Sequence, residues 1–78
     1  MTSIQSNINI KIGLRIKLER TKLGYTQEKL AELAYLNKNS VGAIERGESS
    51  PTIETLDKIA QAFKMPLHEL TNVSQMNI

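Results

Sequence analysis

Seventy-eight residues allow one small domain with a modest core and marginal stability. The chain has no cysteine, which excludes disulfides and thiolate metal sites as supports for the fold. The net charge of +2 is uneven: residues 1–46 carry eight Lys or Arg against four Glu, whereas residues 47–78 carry two Lys against four acidic side chains, so on charge alone the first half suits either a polyanionic partner or a mixed solvated surface.

The pattern of apolar residues predicts an all-α chain of five helices with short connections. The first spans Ile10 to Leu23, with Ile12, Ile16 and Leu23 on one face and Gly24 in a C-cap position; residues 1–9 precede it as an N-terminal extension. The second runs from Gln27 to Ala34, capped by the Thr26 hydroxyl, with Leu30, Leu33 and Ala34 as its apolar stripe. The third runs from Lys38 to Arg46 between Asn37 as N-cap and Gly47 as C-cap, and turns Val41 and Ile44 inward. Thr52 caps the fourth, Ile53 to Phe63, in which Leu56, Ile59, Ala60 and Phe63 fall at i, i+3, i+4 and i+7. Pro66 opens a last short helix in "PLHEL", the domain closes at residue 71, and residues 72–78 form a tail without a strong signal.

Two features of this order carry information about function. Only "AYLN" separates the second helix from the third, so the two must cross steeply, in the helix-turn-helix arrangement. The second helix of such a pair can enter the major groove of DNA. Its outer face is expected to carry Lys38, Asn39, Gly42, Ala43 and Arg46, where small residues permit close approach to a base-pair edge. The other feature is a second apolar stripe on the first helix, Ile10, Leu14 and Leu18 at i, i+4 and i+8. A helix apolar on two sides is usually buried. The expected cover is the chain's own end (Leu67, Leu70, Val73, Met76), with a partner chain as the alternative.

The stretches "RIKLERTKLGYTQEKLAELA", "NKNSVGAIERGESSPT" and "ETLDKIAQAFKMPLHEL" resemble the Cro/phage-repressor type of helix-turn-helix protein, also called lambda-repressor-like or XRE. The resemblance runs from about Gly13 to Leu70. It implies a compact five-helix DNA-binding domain with the helix-turn-helix at helices 2 and 3. It also implies roles. Lys38, Asn39, Gly42 and Ala43 match base-facing positions; Gln27, Asn37, Ser40 and Arg46 match positions that touch the DNA backbone; Arg20 and Glu45 match a structural ion pair. The residue chemistry agrees: Asn pairs with adenine, Lys donates to guanine, and an Ala methyl packs on thymine. The chain departs from the pattern at Tyr35 and Lys64, where glycine is common, and at Glu19, where an apolar residue is common.

Other features are weaker. His68 has no second ligand at a metal spacing, Ser49 and Ser50 have no base in a recognisable motif, and "NVS" at Asn72 is a chance glycosylation sequon. No paired carboxylates, phosphate-cradling glycine loop or nucleophile motif occurs, so an enzyme is not expected, nor a cofactor or metal. No signal peptide or membrane-length apolar run is apparent, so a soluble, cytoplasmic protein is expected. The expected function is a sequence-specific transcriptional regulator, binding double-stranded DNA as a homodimer on a pseudo-palindromic operator, with repression the expected sign. The alternative is an antitoxin or other interaction module whose main act is to bind a partner protein.

Overall fold

Thr26, Asn37 and Thr52 each turn the chain into a helix, and each does so by the same local chemistry. Their side-chain oxygens accept from the backbone N–H three residues on: Lys29 at 3.0 Å, Ser40 at 2.7 Å and Thr55 at 3.0 Å. Each thereby satisfies one of the four N–H groups that a helix start leaves without a partner. The structure, a computed structural model, describes residues 3–76. Its helices are α1 (Ser3–Lys22), α2 (Gln27–Leu33), α3 (Lys38–Glu45), α4 (Ile53–Ala62) and α5 (Leu67–Leu70), with no strand among the described residues.

The four longer helices also end alike. After α1, α2, α3 and α4 the chain bonds back in the paired pattern of a Schellman motif: Tyr25 N–H to Arg20 O, Leu36 N–H to Ala31 O, Glu48 N–H to Ala43 O and Met65 N–H to Ala60 O, at 2.8–3.1 Å. The motif requires a left-handed residue just past the helix. Gly24 and Gly47 supply it at no steric cost, with φ of 76° and 74°. Tyr35 and Lys64 supply it at φ of 59° and 60°, against the steric preference of a residue with a Cβ. Tyr35 is 85% exposed, so burial does not compensate its backbone. Tyr35→Gly and Lys64→Gly are each expected to stabilise the fold by about 1 kcal/mol, raising Tm by roughly 4–8 °C. Thermal unfolding followed by circular dichroism checks this; a fall in Tm for both would mean that the side chains hold the turns.

The core gathers Ile12 and Ile16 of α1, Leu30 and Ala31 of α2 with its C-cap Ala34, Val41 and Ile44 of α3, and Leu56, Ile59 and Ala60 of α4 with its C-cap Phe63. Leu70 and Val73 complete it, and Leu67 and Met76 pack against its edge. Thus α3 lies between α1 and α2, while α4 closes α2 from the other side and α5 returns to α1.

Four expectations are corrected. The first helix starts at Ser3 rather than Ile10, so most of the expected extension 1–9 is helical; no glycine or proline interrupts it there. Residues 1 and 2 of that extension and 77 and 78 of the tail lie outside the described residues. Leu23 is half exposed, because α1 ends one residue earlier and its Schellman turn carries Leu23 away from the Ile12/Ile16 face. Leu33 is exposed too, and Ala31 takes its place in the core. Finally, Ile10, Leu14 and Leu18 remain 38–51% exposed. The chain's end does not cover them, because Leu70 and Val73 turn into the main core and Arg15 Nη1 donates to Asn72 O at 3.4 Å, holding the tail on the adjacent face of α1. Glu19, unusual for its position, is largely covered and bonded by Arg15 Nε at 3.0 Å, which accounts for a carboxylate there.

Glycine decides how close α1 comes to α3. A Cβ on Gly13 would lie 2.7 Å from Glu45 O and 2.9 Å from its carbon, and still closer to Ile44 O. These atoms are backbone and cannot step aside. Gly47 also sits close on α1, where a Cβ would meet Ile10 Cγ1 at 2.9 Å and Ile10 Cα at 3.1 Å. Two glycines, one from each helix region, let the C-terminal end of α3 rest directly on α1.

Candidate nucleic-acid interface

The last residues of α3 are anchored by charge as well as by contact. Arg20 on α1 grips Glu45 on α3 with two parallel hydrogen bonds, Nε to Oε2 at 2.6 Å and Nη2 to Oε1 at 3.1 Å. Its remaining nitrogen, Nη1, donates to Tyr25 O at 2.8 Å. The Glu45 side chain is 3% exposed and that of Arg20 11%. Gln27, at the first position of α2, joins them by donating Nε2 to Glu45 Oε1 at 3.0 Å. One network therefore ties α1, the start of α2 and the end of α3 together, and no buried side-chain nitrogen or oxygen among the described residues lacks a partner. A fully satisfied network of this kind holds α3 in one orientation.

With its back fixed, α3 turns a defined face outward. Val41, Ile44 and Glu45 are buried, whereas Lys38, Asn39 and Arg46 are exposed and Ser40 and Ala43 half-buried. Asn39, Ala43 and Arg46 fall at i, i+4 and i+7 and so form one lane along the helix. Lys38 and Asn39 stand side by side in its first turn. Lys38 makes no ion pair among the described residues, and Arg46 holds Glu48 at 3.0 Å with both side chains well exposed, a pair of little energetic worth that a phosphate can displace. Asn37 faces solvent while its Oδ1 caps Ser40 N–H. Gln27 lies at the edge of this face, half-buried, with one of its two amide hydrogens committed to Glu45.

Gly42 is the exception among the expected base-facing positions. It is buried, not outward, because the Arg46 and Gln27 side chains fold over it: a Cβ there would lie 3.0 Å from Arg46 Nη1 and 3.6 Å from Gln27 Oε1. Its small size lets those two polar side chains lie across the helix. The i, i+4 relation between Gly42 and Arg46 carries that information in the sequence. Gly13 has no place in the helix-turn-helix pattern, yet a glycine inside a helical stretch is itself a signal of a packing or functional reason.

The arrangement is a short helix held rigidly from behind. It presents an amide, a methyl and an arginine in line, with a lysine beside the amide and the capped start of a second helix at the edge. A helix-turn-helix family model matches residues 16–70. The transcriptional regulator YgzD of Bacillus subtilis is 33% identical over 63 residues, which cover 81% of this chain and 96% of YgzD. The cryptic phage CTXphi transcriptional repressor RstR of Vibrio cholerae is 34% identical over 64 residues; the match spans 82% of this chain but only 58% of RstR. Among solved structures, the restriction-modification controller protein C.AhdI from Aeromonas hydrophila superimposes with a TM-score of 0.78 at 35% identity, covering 80% of this chain and 94% of that one. On the strength of these matches and of the α2–α3 geometry, the chain belongs to the Cro/phage-repressor type of helix-turn-helix family, whose named members here are transcriptional regulators.

Proposed function

We propose that this DNA-binding transcriptional regulator acts as a homodimer on a pseudo-palindromic operator and represses by occluding polymerase. It acts by binding rather than catalysis, in the cytoplasm. Among the described residues no helix is long and apolar enough to cross a membrane. The observation that carries the reading is the outward lane of α3, with Lys38 and Asn39 exposed in its first turn while Arg20, Glu45 and Gln27 lock its far end. Asn39 and Lys38 read base edges, Ala43 packs on a thymine methyl, and Gly42 lets the helix and the two side chains above it approach the groove closely. Gln27, Asn37, Ser40 and Arg46 bind phosphates and set the register. One such helix reads few base pairs, and a mismatch costs only about 1–3 kcal/mol, so two copies on half-sites one helical turn apart supply the discrimination.

Lys38→Ala and Asn39→Ala are expected to relax base preference at particular operator positions by about 1–3 kcal/mol, while Gln27→Ala and Arg46→Ala weaken binding across sequences. Selection from a randomised DNA pool, with wild type and variants in parallel at near-physiological salt, measures both. Equal losses on selected and random DNA from all four variants would sink the assignment of roles.

A second reading, an interaction module for a partner protein, draws support from the exposed Ile10, Leu14 and Leu18 on α1. The same selection separates the two: a DNA binder enriches a palindrome, whereas an interaction module enriches nothing and its weak binding disappears as salt rises.

A further inference from the structure

Tyr35 and Lys64 are the only residues other than glycine with positive φ among those described, and both line one open cleft of about 420 Å3. They reach it from different places, Tyr35 from the turn between α2 and α3 and Lys64 from the turn after α4. Leu33 and Ala62 give the cleft an apolar lining, Tyr25 adds a second aromatic ring, and Lys58 adds a second cation. No carboxylate lines it, and neither Lys58 nor Lys64 makes an ion pair among the described residues.

The turns themselves do not require these side chains. The same chain ends α1 and α3 with the same motif and uses glycine there. At two of four equivalent positions it keeps a strained backbone, and both times the residue retained lines this cleft. Strain held at two places around one cavity, with no burial of Tyr35 to offset it, is the pattern of a ligand site. Cleft size falls within the range of small-molecule sites, about 300–1,000 Å3.

We infer that the cleft binds a small planar aromatic anion, its ring against Tyr25 and Tyr35 and its charge at Lys58 and Lys64. Aromatic faces take a flat ring, and unpaired ammonium groups beside an apolar lining take its charge. An aromatic carboxylic acid and a mononucleotide share this chemistry. Tyr35 stands two residues before Asn37, the N-cap of α3, so an occupant would touch the turn that positions the recognition helix. The binding itself does not depend on the reading of DNA.

The test needs no DNA. The chain has two tyrosines and no tryptophan, and both tyrosines line the cleft, so their ring resonances respond to an occupant of it. The full chain is titrated with 2-naphthoate and, separately, with adenosine monophosphate, following the tyrosine rings by NMR. Saturable shifts with one compound and not the other identify the source of the ligand. Tyr35→Gly, read at Tyr25, is expected to weaken binding about tenfold by removing a stacking face; Lys64→Gly is expected to weaken it severalfold. Both variants are expected to relieve strain, and the thermal unfolding of each, measured first, separates a lost signal from unfolding. Absence of saturable shifts with either compound, or unchanged affinity in both variants, would overturn the inference.

Discussion

Gly13→Ala is expected to destabilise the fold by about 2–3 kcal/mol, a large fraction of the total for a domain of this size. At an ordinary helical glycine the same change would stabilise by about 1 kcal/mol through helix propensity. Here the added methyl would fall 2.7 Å from Glu45 O and nearer still to Ile44 O, so the two helices must separate. Separation strains the Arg20–Glu45 bonds and shifts α3 relative to α2, so operator binding should fall with stability. Gly42→Ala is the internal control. Its new methyl meets the far end of the flexible Arg46 side chain, which can swing away, so stability should hold or rise. Urea denaturation measures both, with the midpoint moving at constant m-value. A neutral or stabilising Gly13→Ala would mean that α1 does not rest on the α3 carbonyls.

Arg20→Met is expected to cost about 3–5 kcal/mol, because it leaves the Glu45 carboxylate buried with no cation. Glu45→Leu should cost a similar amount by stranding Arg20 and the Gln27 amide. The double variant Arg20→Met/Glu45→Leu should cost less than either single one, since an apolar pair replaces a charged pair whose desolvation was already expensive. A double-mutant cycle in urea gives the coupling directly. Additive single effects below about 1 kcal/mol each would show that the pair behaves like a solvated surface bridge. The side-chain exposures of 3% and 11% argue otherwise. The pair also bears on DNA binding through Gln27. Its amide is oriented by Glu45 Oε1, so a folded Glu45 variant should lose part of the sequence-independent contact that Gln27→Ala removes.

These two predictions concern the support of the recognition helix rather than its readout. That division follows from size. A short helix has few turns of its own hydrogen bonding and cannot hold an orientation without tertiary contacts. In this chain the contacts are backbone against backbone at Gly13, the close seat of Gly47 on Ile10, and one ion network at Arg20, Glu45 and Gln27.

By itself the sequence determined what depends on near neighbours in the chain. Thr26, Asn37 and Thr52 as caps, the start of each helix from α2 to α4, and the burial of Leu56, Ile59, Ala60 and Phe63 all follow from spacings of three or four residues. The outward position of Lys38 and Asn39 follows from the same periodicity. Only the tertiary structure decided what depends on residues far apart. It exposed Leu23 and Leu33, buried Ala31 and Val73 in the core, and left Ile10, Leu14 and Leu18 uncovered. It turned Gly42 into the floor beneath Gln27 and Arg46, and it brought Tyr35 and Lys64, 29 positions apart in the numbering, to one cleft. The reason is physical: helix period tells which residues share a face, but which face is buried is set by the crossing of helices, and here two glycines and one ion pair set that crossing.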